Sequence, residues 1–400
     1  MSADIWLPAD FNKANNQKFR LMIFLHGADP DNSQKTINTF KEAFEIYTGA
    51  VNPPVIIVPD VRSTASQTFG NRHLYANSVY HGNYEDVITK DLINFLKTDT
   101  VFNFASKISY QREHMAIGGF SMGADGALRI ALRNPDMFKV ALIHAAIPSF
   151  SDQVITTFAT LAKVESCETL PCQFSVDAIN KPITYRLWGA SSAWSPSDQN
   201  GEISFLLNND GSTNTEVLNY WKSNYEPATL ISNQGIYSST DGPYLYLEVG
   251  DQDGNKFATF PNFIDQLKSI GVPEQFYKTR LSSGSHIFDA LRAVGSLTYL
   301  LNNLDDIVTS SKNYAQEIGL KIFPNPVNSN QLYLSVKDLF QSGAVGLKIF
   351  DPINGRVIYS HKYEHFSDIK EINISNLTDG LYFLSVQFNG KVNTLPFVIN

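Results

Sequence analysis

No apolar run in the chain approaches the roughly 20 residues needed to cross a bilayer as a helix, so no such span is expected. Runs of lysine or arginine are also missing, and the formal net charge is -8. That balance repels a phosphate backbone, which excludes nucleic acid and an extended anionic membrane surface as partners. The first ten residues, Met1 to Asp10, have neither a basic segment nor an apolar core, so they do not read as a secretion signal. Cysteine is scarce: Cys167 and Cys172 stand alone, and no histidine lies nearby to complete a four-ligand zinc site. In an exported protein the pair would close a small disulfide loop, and in a cytosolic one it would be two inert thiols. Internal repeats and low-complexity tracts are absent as well.

What is present is a large, well-stocked core. Hydrophobic residues make up 43% of the 400 and charged residues 18%, which suits a large globular domain plus a smaller one. Between Arg20 and Leu304, short β-rich runs alternate with amphipathic helical ones. The apolar runs Leu21 to Leu25, Val55 to Val58, His114 to Gly118, Val140 to Ile143 and Tyr244 to Val249 read as buried parallel strands. Val87, Ile88, Leu92 and Leu96 recur at helical spacing, as do Phe263, Leu267 and Ile270. The pattern predicts a mostly parallel sheet flanked by helices. Residues 149–242 break this rhythm. They are rich in Ser, Asn and aromatics, hold both cysteines with Trp188, Trp194 and Trp221, and are expected to form a long irregular lid or binding insertion. Residues 305–317 read as a polar linker. From 318 to 400 short alternating strands follow, with Asn354-Gly355 and Asn389-Gly390 placed as hairpin turns of a small all-β sandwich.

The most informative local signal is Gly119-Phe-Ser-Met-Gly123, lying between an apolar strand and the helical run Ala127 to Leu132. In that setting a G-x-S-x-G pentapeptide makes a tight strand-to-helix turn that pushes the Ser121 hydroxyl out at the edge of the sheet. A serine hydroxyl needs a base to take its proton and a carboxylate to orient that base, in the chain order Ser, Asp or Glu, His. His286, in Leu281-Ser-Ser-Gly-Ser-His286, is the one histidine downstream of Asp253 within residues 1–304. His26 precedes the serine and is a poorer candidate. An oxyanion hole would take one N–H from Met122 and one from Ala28 or Gly27, in the loop after the early strand. The carboxylate is Asp251 or Asp253, in Gly250-Asp-Gln-Asp-Gly254. A calcium loop there is disfavoured, because Lys256 and Asn262 replace its required glycine and glutamate.

Taken together, Tyr84 to Ile93, Ala116 to Gly123, Arg133-Asn-Pro-Asp-Met-Phe138, Gly250 to Asp253 and His286 resemble the putative-esterase branch of the α/β-hydrolases. That branch includes feruloyl esterases, acetylxylan esterases, S-formylglutathione hydrolases and mycolyltransferases. The resemblance covers about residues 3 to 304 in motif order, with little match over 149–242. It departs at Ala124, where the family usually has glycine, and at the start of the chain, where an initial strand is in doubt. It implies an α/β-hydrolase fold, and its Gly-x-x-Asp pattern selects Asp253 as the acid. Residues Lys321-Ile-Phe-Pro-Asn-Pro326, Leu347 to Asp351 with Gly355-Arg356, and Asn376 to Tyr382 resemble the type A sorting domain of the type IX secretion system of Bacteroidetes. That implies export by this machinery, a signal peptide that these residues do not show, and a truncated start.

The combined expectation is a secreted or surface-attached serine esterase with the triad Ser121, His286 and Asp253, needing no metal or organic cofactor. Export disfavours glutathione thioesters and favours feruloyl or acetyl esters linked to polysaccharide, with Trp188 and Trp194 as candidate substrate-stacking residues. The alternatives are a serine peptidase or acyltransferase on the same fold, and a non-enzymatic surface binding protein.

Overall fold

The computed structural model describes residues 2–12, 17–28, 32–46, 53–61, 72–195, 203–238, 242–305, 307, 320–335, 342–350, 356–365, 368–369, 371–388 and 391–399. The chain divides into two compact units, 1–307 and 308–400.

The first unit is built on a seven-stranded sheet. Its strands are β1 (Ser2–Trp6), β2 (Leu21–Leu25), β3 (Val55–Asp60), β6 (Met115–Phe120), β7 (Val140–His144), β8 (Tyr244–Gly250) and β9 (Tyr277–Ser282). Asn77–Ser78 and Gly82–Asn83 pair separately as the short β4 and β5. The large sheet runs in the order β1-β3-β2-β6-β7-β8-β9, with β1 antiparallel to β3 and every other pairing parallel. Strand side chains alternate between faces, so both faces must be apolar where both are covered. Leu21, Ile23 and Leu25 of β2 enter one core and Met22 and Phe24 the other, and β3 and β7 divide in the same way. The second of these cores lies under helices α1 (Ser33–Ile46) and α9 (Ala290–Asn303), which contribute Phe40, Ala293 and Leu297. Between α1 and α9 in the chain come α2 (Leu92–Thr98), which extends a helical run begun at Tyr84, and α3 (Met122–Arg133), packed on β6 and β7. The family's initial strand is present as β1. It is a largely exposed edge strand in which Ser2 and Asp4 interrupt the apolar residues, which is why no buried-strand pattern announces it.

The insertion over 149–242 is not irregular. It contains α4 (Asp152–Ser166), α5 (Pro182–Trp194), α6 (Thr215–Tyr225) and α7 (Pro227–Gln234). Proline at the first turn of α5 and α7 costs no helical hydrogen bond, and the Asn214 side chain accepts from Val217 N to cap α6. Cys167 and Cys172 form a disulfide in the turn after α4. The remaining helix, α8 (Gly254–Ser269), follows β8 directly.

The second unit is antiparallel throughout its sheets. One sheet joins β10 (Lys321–Phe323), β11 (Gln331–Ser335) and β14 (Ile372–Asn373). The other runs β13-β12-β15-β16, from Val357–His365, Ser342–Phe350, Gly380–Phe388 and Lys391–Ile399. Leu332 and Ile372 of the first sheet share a core with Leu347, Ile349, Leu384 and Phe397 of the second, which makes the unit a sandwich. Both predicted Asn-Gly turns and nearly all of the predicted linker lie outside the described residues. Phe388 and Lys391, which flank one of those turns, are register partners.

Candidate active site

The parallel strands end together at one edge of the sheet, and the chemistry-bearing residues gather there. Ser121 sits between β6 and α3 with φ 56° and ψ -119°, a conformation that costs a non-glycine residue of order 1–3 kcal/mol and therefore needs support from its surroundings. Support comes from three hydrogen bonds. Ser121 N donates to His144 O at 2.9 Å, while Ala124 N and Asp125 N donate to Ser121 O at 3.0 and 3.1 Å and open α3. The flanking glycines are sterically required. A Cβ on Gly119 would run into the Gly123 carbonyl, and one on Gly123 would meet the Leu25 carbonyl and come within 2.7 Å of His26 O.

His286 reaches this turn from the loop between β9 and α9. Ser121 Oγ donates to His286 Nε2 at 2.8 Å, and His286 Nδ1 donates to Asp253 Oδ2 at 2.9 Å. The imidazole lies on the ring of Phe120 with centroids 4.7 Å apart. The Asp253 side chain is 5% exposed and that of His286 is 38% exposed, so the relay runs from a buried carboxylate to an accessible hydroxyl. Asp251 does not reach the imidazole. Its Oδ1 accepts from Gly284 N at 2.8 Å, tying the β8–α8 turn to the loop that carries His286.

Met122 and Ala28 line the same cavity as Ser121, and Gly27 immediately precedes Ala28. His26 is buried, and its Nδ1 donates to Gly27 O at 2.7 Å, so it braces the loop after β2. Among the described residues no His, Cys, Asp or Glu cluster is arranged to hold a metal ion.

The cavity above Ser121 has a volume of about 580 Å³. Its apolar wall is supplied largely by the insertion, through Phe150, Val154, Ile155, Leu187, Trp194 and Trp221. Arg72 and Arg186 add cationic groups that were not singled out from the sequence, where nothing distinguishes a lining arginine from any other surface cation. Of the two tryptophans proposed to stack on substrate, Trp194 lines the cavity and Trp188 does not. They are six residues apart on α5, which at 100° per residue places them on different faces, and Trp188 packs on Phe205 instead.

Residues 1–259 match the family described as "Putative esterase", and residues 321–400 match the "Secretion system C-terminal sorting domain". The second match makes this a secreted or cell-surface protein. No curated protein sequence matches the chain. Among solved structures it is similar to an S-formylglutathione hydrolase from Agrobacterium tumefaciens, at 15% identity, 76% coverage of this chain, 90% of that chain and a TM-score of 0.47. A fluorophosphonate-binding serine hydrolase from Staphylococcus aureus aligns at 19% identity, covering 76% and 92%, with a TM-score of 0.46. A feruloyl esterase module from Clostridium thermocellum, complexed with sinapinate, aligns at 13% identity, covering 77% and 85%, with a TM-score of 0.43.

Proposed function

The chain belongs to the esterase family matched above, and we propose that it hydrolyses carboxylic esters through Ser121, His286 and Asp253, with polysaccharide-linked feruloyl-type esters as its substrates. The observation that carries this reading is the continuous hydrogen-bonded relay from Asp253 through His286 to Ser121, opening into a cavity with an apolar wall. His286 Nε2 takes the Ser121 proton as Oγ attacks the ester carbonyl, then returns it to the departing alcohol. Asp253 keeps the imidazole in the tautomer that presents a bare Nε2 and offsets the positive charge that develops on the ring. Met122 N–H, at the start of α3, and Ala28 N–H receive the oxyanion of the tetrahedral intermediate. Water then repeats the sequence on the acyl-enzyme with the same base.

An acetyl group would leave most of a 580 Å³ cavity unfilled, whereas a phenylpropenoyl group would bury its ring against Phe150, Trp194 and Trp221. The preference for aromatic acyl groups over acetyl rests on this difference. Export beyond the cytoplasm sets the enzyme among extracellular polymers, which favours a polysaccharide as the alcohol component.

The test is a panel of 4-nitrophenyl acetate, methyl ferulate and a feruloylated oligosaccharide, run with Ser121→Ala as control. Turnover of the feruloyl esters at higher kcat/KM than the acetate, lost in the variant, is expected. Turnover surviving in Ser121→Ala would sink the triad, and a preference for acetate would sink the substrate assignment.

A further inference from the structure

The loop that carries His286 is anchored at its far end by Phe288, which packs on Phe24 and Phe40, but residues 283–287 bury little side chain. Ser283, Ser285, His286 and Ile287 are all exposed, and Gly284 has φ +109°. Between that anchor and β9 the backbone is held at Gly284, whose N donates to Asp251 Oδ1 and whose O accepts from Gln252 N, yet the histidine must also meet both Asp253 and Ser121 at hydrogen-bonding distance. The backbone carbonyls of the loop turn inward, and three of them converge on one guanidinium. Arg292 Nη1 donates to Ile287 O at 2.6 Å, and Nη2 donates to Ser285 O at 3.2 Å and to Ser283 O at 3.3 Å. Arg292 is 4% exposed and sits in the first turn of α9.

A buried cation needs a countercharge. Glu248 supplies it, 1% exposed, with Oε1 3.4 Å from Arg292 Nε. The same carboxylate accepts from Ser282 Oγ and faces His144 Nδ1. Burial on its own would raise the Glu248 carboxyl, but His144, Ser282 and Arg292 together hold it below its ordinary value. Ser282 is the last residue of β9, directly before the loop. His144 is the β7 register partner of Glu248, and its carbonyl receives Ser121 N. The ends of β7, β8 and β9 and the start of α9 are therefore joined through one carboxylate and one guanidinium. Gly250 completes the arrangement, because any Cβ there would strike the Gly284 carbonyl and come within 2.8 Å of Arg292 Nη2.

We propose that Arg292, neutralised by Glu248, is the positioning residue of the base: its guanidinium gathers the carbonyls on both sides of His286 and so sets the imidazole between Asp253 and Ser121. Only arginine presents several donors in a rigid planar fork, and the lysine ammonium is a single point from which three carbonyls cannot be served in this geometry. The inference rests on the Ser121–His286–Asp253 reading and adds to it a residue that touches no reacting atom.

The test uses the full chain with Arg292→Lys, Arg292→Ala and Ser121→Ala on one chromogenic ester. Arg292→Lys keeps the buried charge and with it the fold, as circular dichroism will check. Its kcat should fall about 10- to 100-fold with KM within about threefold, the pattern of a displaced catalytic group rather than a damaged pocket. Inactivation by a fluorophosphonate should slow by a similar factor. The far-downfield proton resonance of the His286–Asp253 hydrogen bond should broaden or vanish. In Arg292→Ala, added guanidinium should restore part of the lost kcat, which a general loss of stability would not allow. Folded Arg292→Lys with kcat within twofold of the parent and an intact resonance, beside an inactive Ser121→Ala, overturns the positioning role alone. Activity in Ser121→Ala would instead remove the triad on which it rests.

Discussion

Ser121 and His144 are joined backbone to backbone, the serine N–H donating to the histidine carbonyl at 2.9 Å across the ends of β6 and β7. The strained turn that presents the hydroxyl is thus held by the neighbouring strand. On its other side the turn is pressed so closely against the end of β2 that no side chain fits at Gly123.

Gly123→Ala follows from that contact. The added methyl would lie against the Leu25 carbonyl, which belongs to a central strand and cannot retreat. Overpacking of this kind costs about 1–3 kcal/mol, which for a unit of this size lowers Tm by about 2–5 °C. Calorimetry should record that drop together with at least a tenfold loss of kcat, since relief of the clash displaces Ser121. An unchanged Tm would mean that the turn is more yielding than its packing implies.

The two aspartates after β8 should separate cleanly. Asp253→Asn removes the carboxylate that orients His286 and should lower kcat by about 10³–10⁴-fold. Asp251→Asn keeps an oxygen able to accept from Gly284 N, so its effect should stay under about tenfold. Steady-state kinetics on one chromogenic ester decides the matter, and equal losses would contradict the division of labour between them.

Much of this arrangement was legible in the chain, and the illegible parts share physical causes. Central strands such as Val140–His144 are buried on both faces and read as apolar runs, so the middle of the sheet was plain. The edge strands Ser2–Trp6 and Tyr277–Ser282 are largely exposed and mix apolar with polar residues, which hid them. The insertion looked irregular because Ser and Asn are abundant in it, yet tertiary packing of Leu187, Trp194, Trp221 and Ile231 makes it helical. At the site, the pentapeptide around Ser121 and a single later histidine were local signals. The face of α5 that bears Trp194 rather than Trp188, and the convergence of Ser283, Ser285 and Ile287 on Arg292, depend on contacts that no spacing encodes.

Ala190 tests the proposal that the acyl group occupies the cavity. It lines the cavity from α5 beside Leu187 and Trp194, so Ala190→Phe fills volume there and leaves Ser121, His286 and Asp253 themselves unaltered. A few atoms of lost space in an apolar pocket are worth about 10- to 200-fold in discrimination. The kcat/KM for methyl ferulate should fall by at least tenfold relative to that for 4-nitrophenyl acetate. A uniform loss on both esters would place the acyl group elsewhere.

His73 makes the fold sensitive to acid. It is buried, stacks on Tyr84 with ring centroids 4.0 Å apart, and accepts from Tyr75 N through Nδ1 at 3.1 Å, so its ring is neutral. Burial first, then the charges of His81 and His26, push it down to about 3 from the ordinary 6.5, against a smaller opposing effect of the Val61 backbone. The unfolded chain therefore takes up a proton near pH 6.5 that the folded chain refuses until about pH 3. Stability is full above pH 6.5 and declines as pH falls through that window, by up to about 1.4 kcal/mol per pH unit for this one group. His81, lowered to about 4 by burial, adds to the same decline. Asn at position 73 offers an oxygen to Tyr75 N and does not titrate, so His73→Asn should be less stable at pH 7 but lose stability more slowly on acidification. Urea denaturation of both proteins at pH 7, 6, 5 and 4.5 measures the two slopes. Parallel slopes would assign the acid sensitivity to other groups, whereas a flatter slope in the variant traces it to the proton that His73 refuses because it is buried beside His81 and His26.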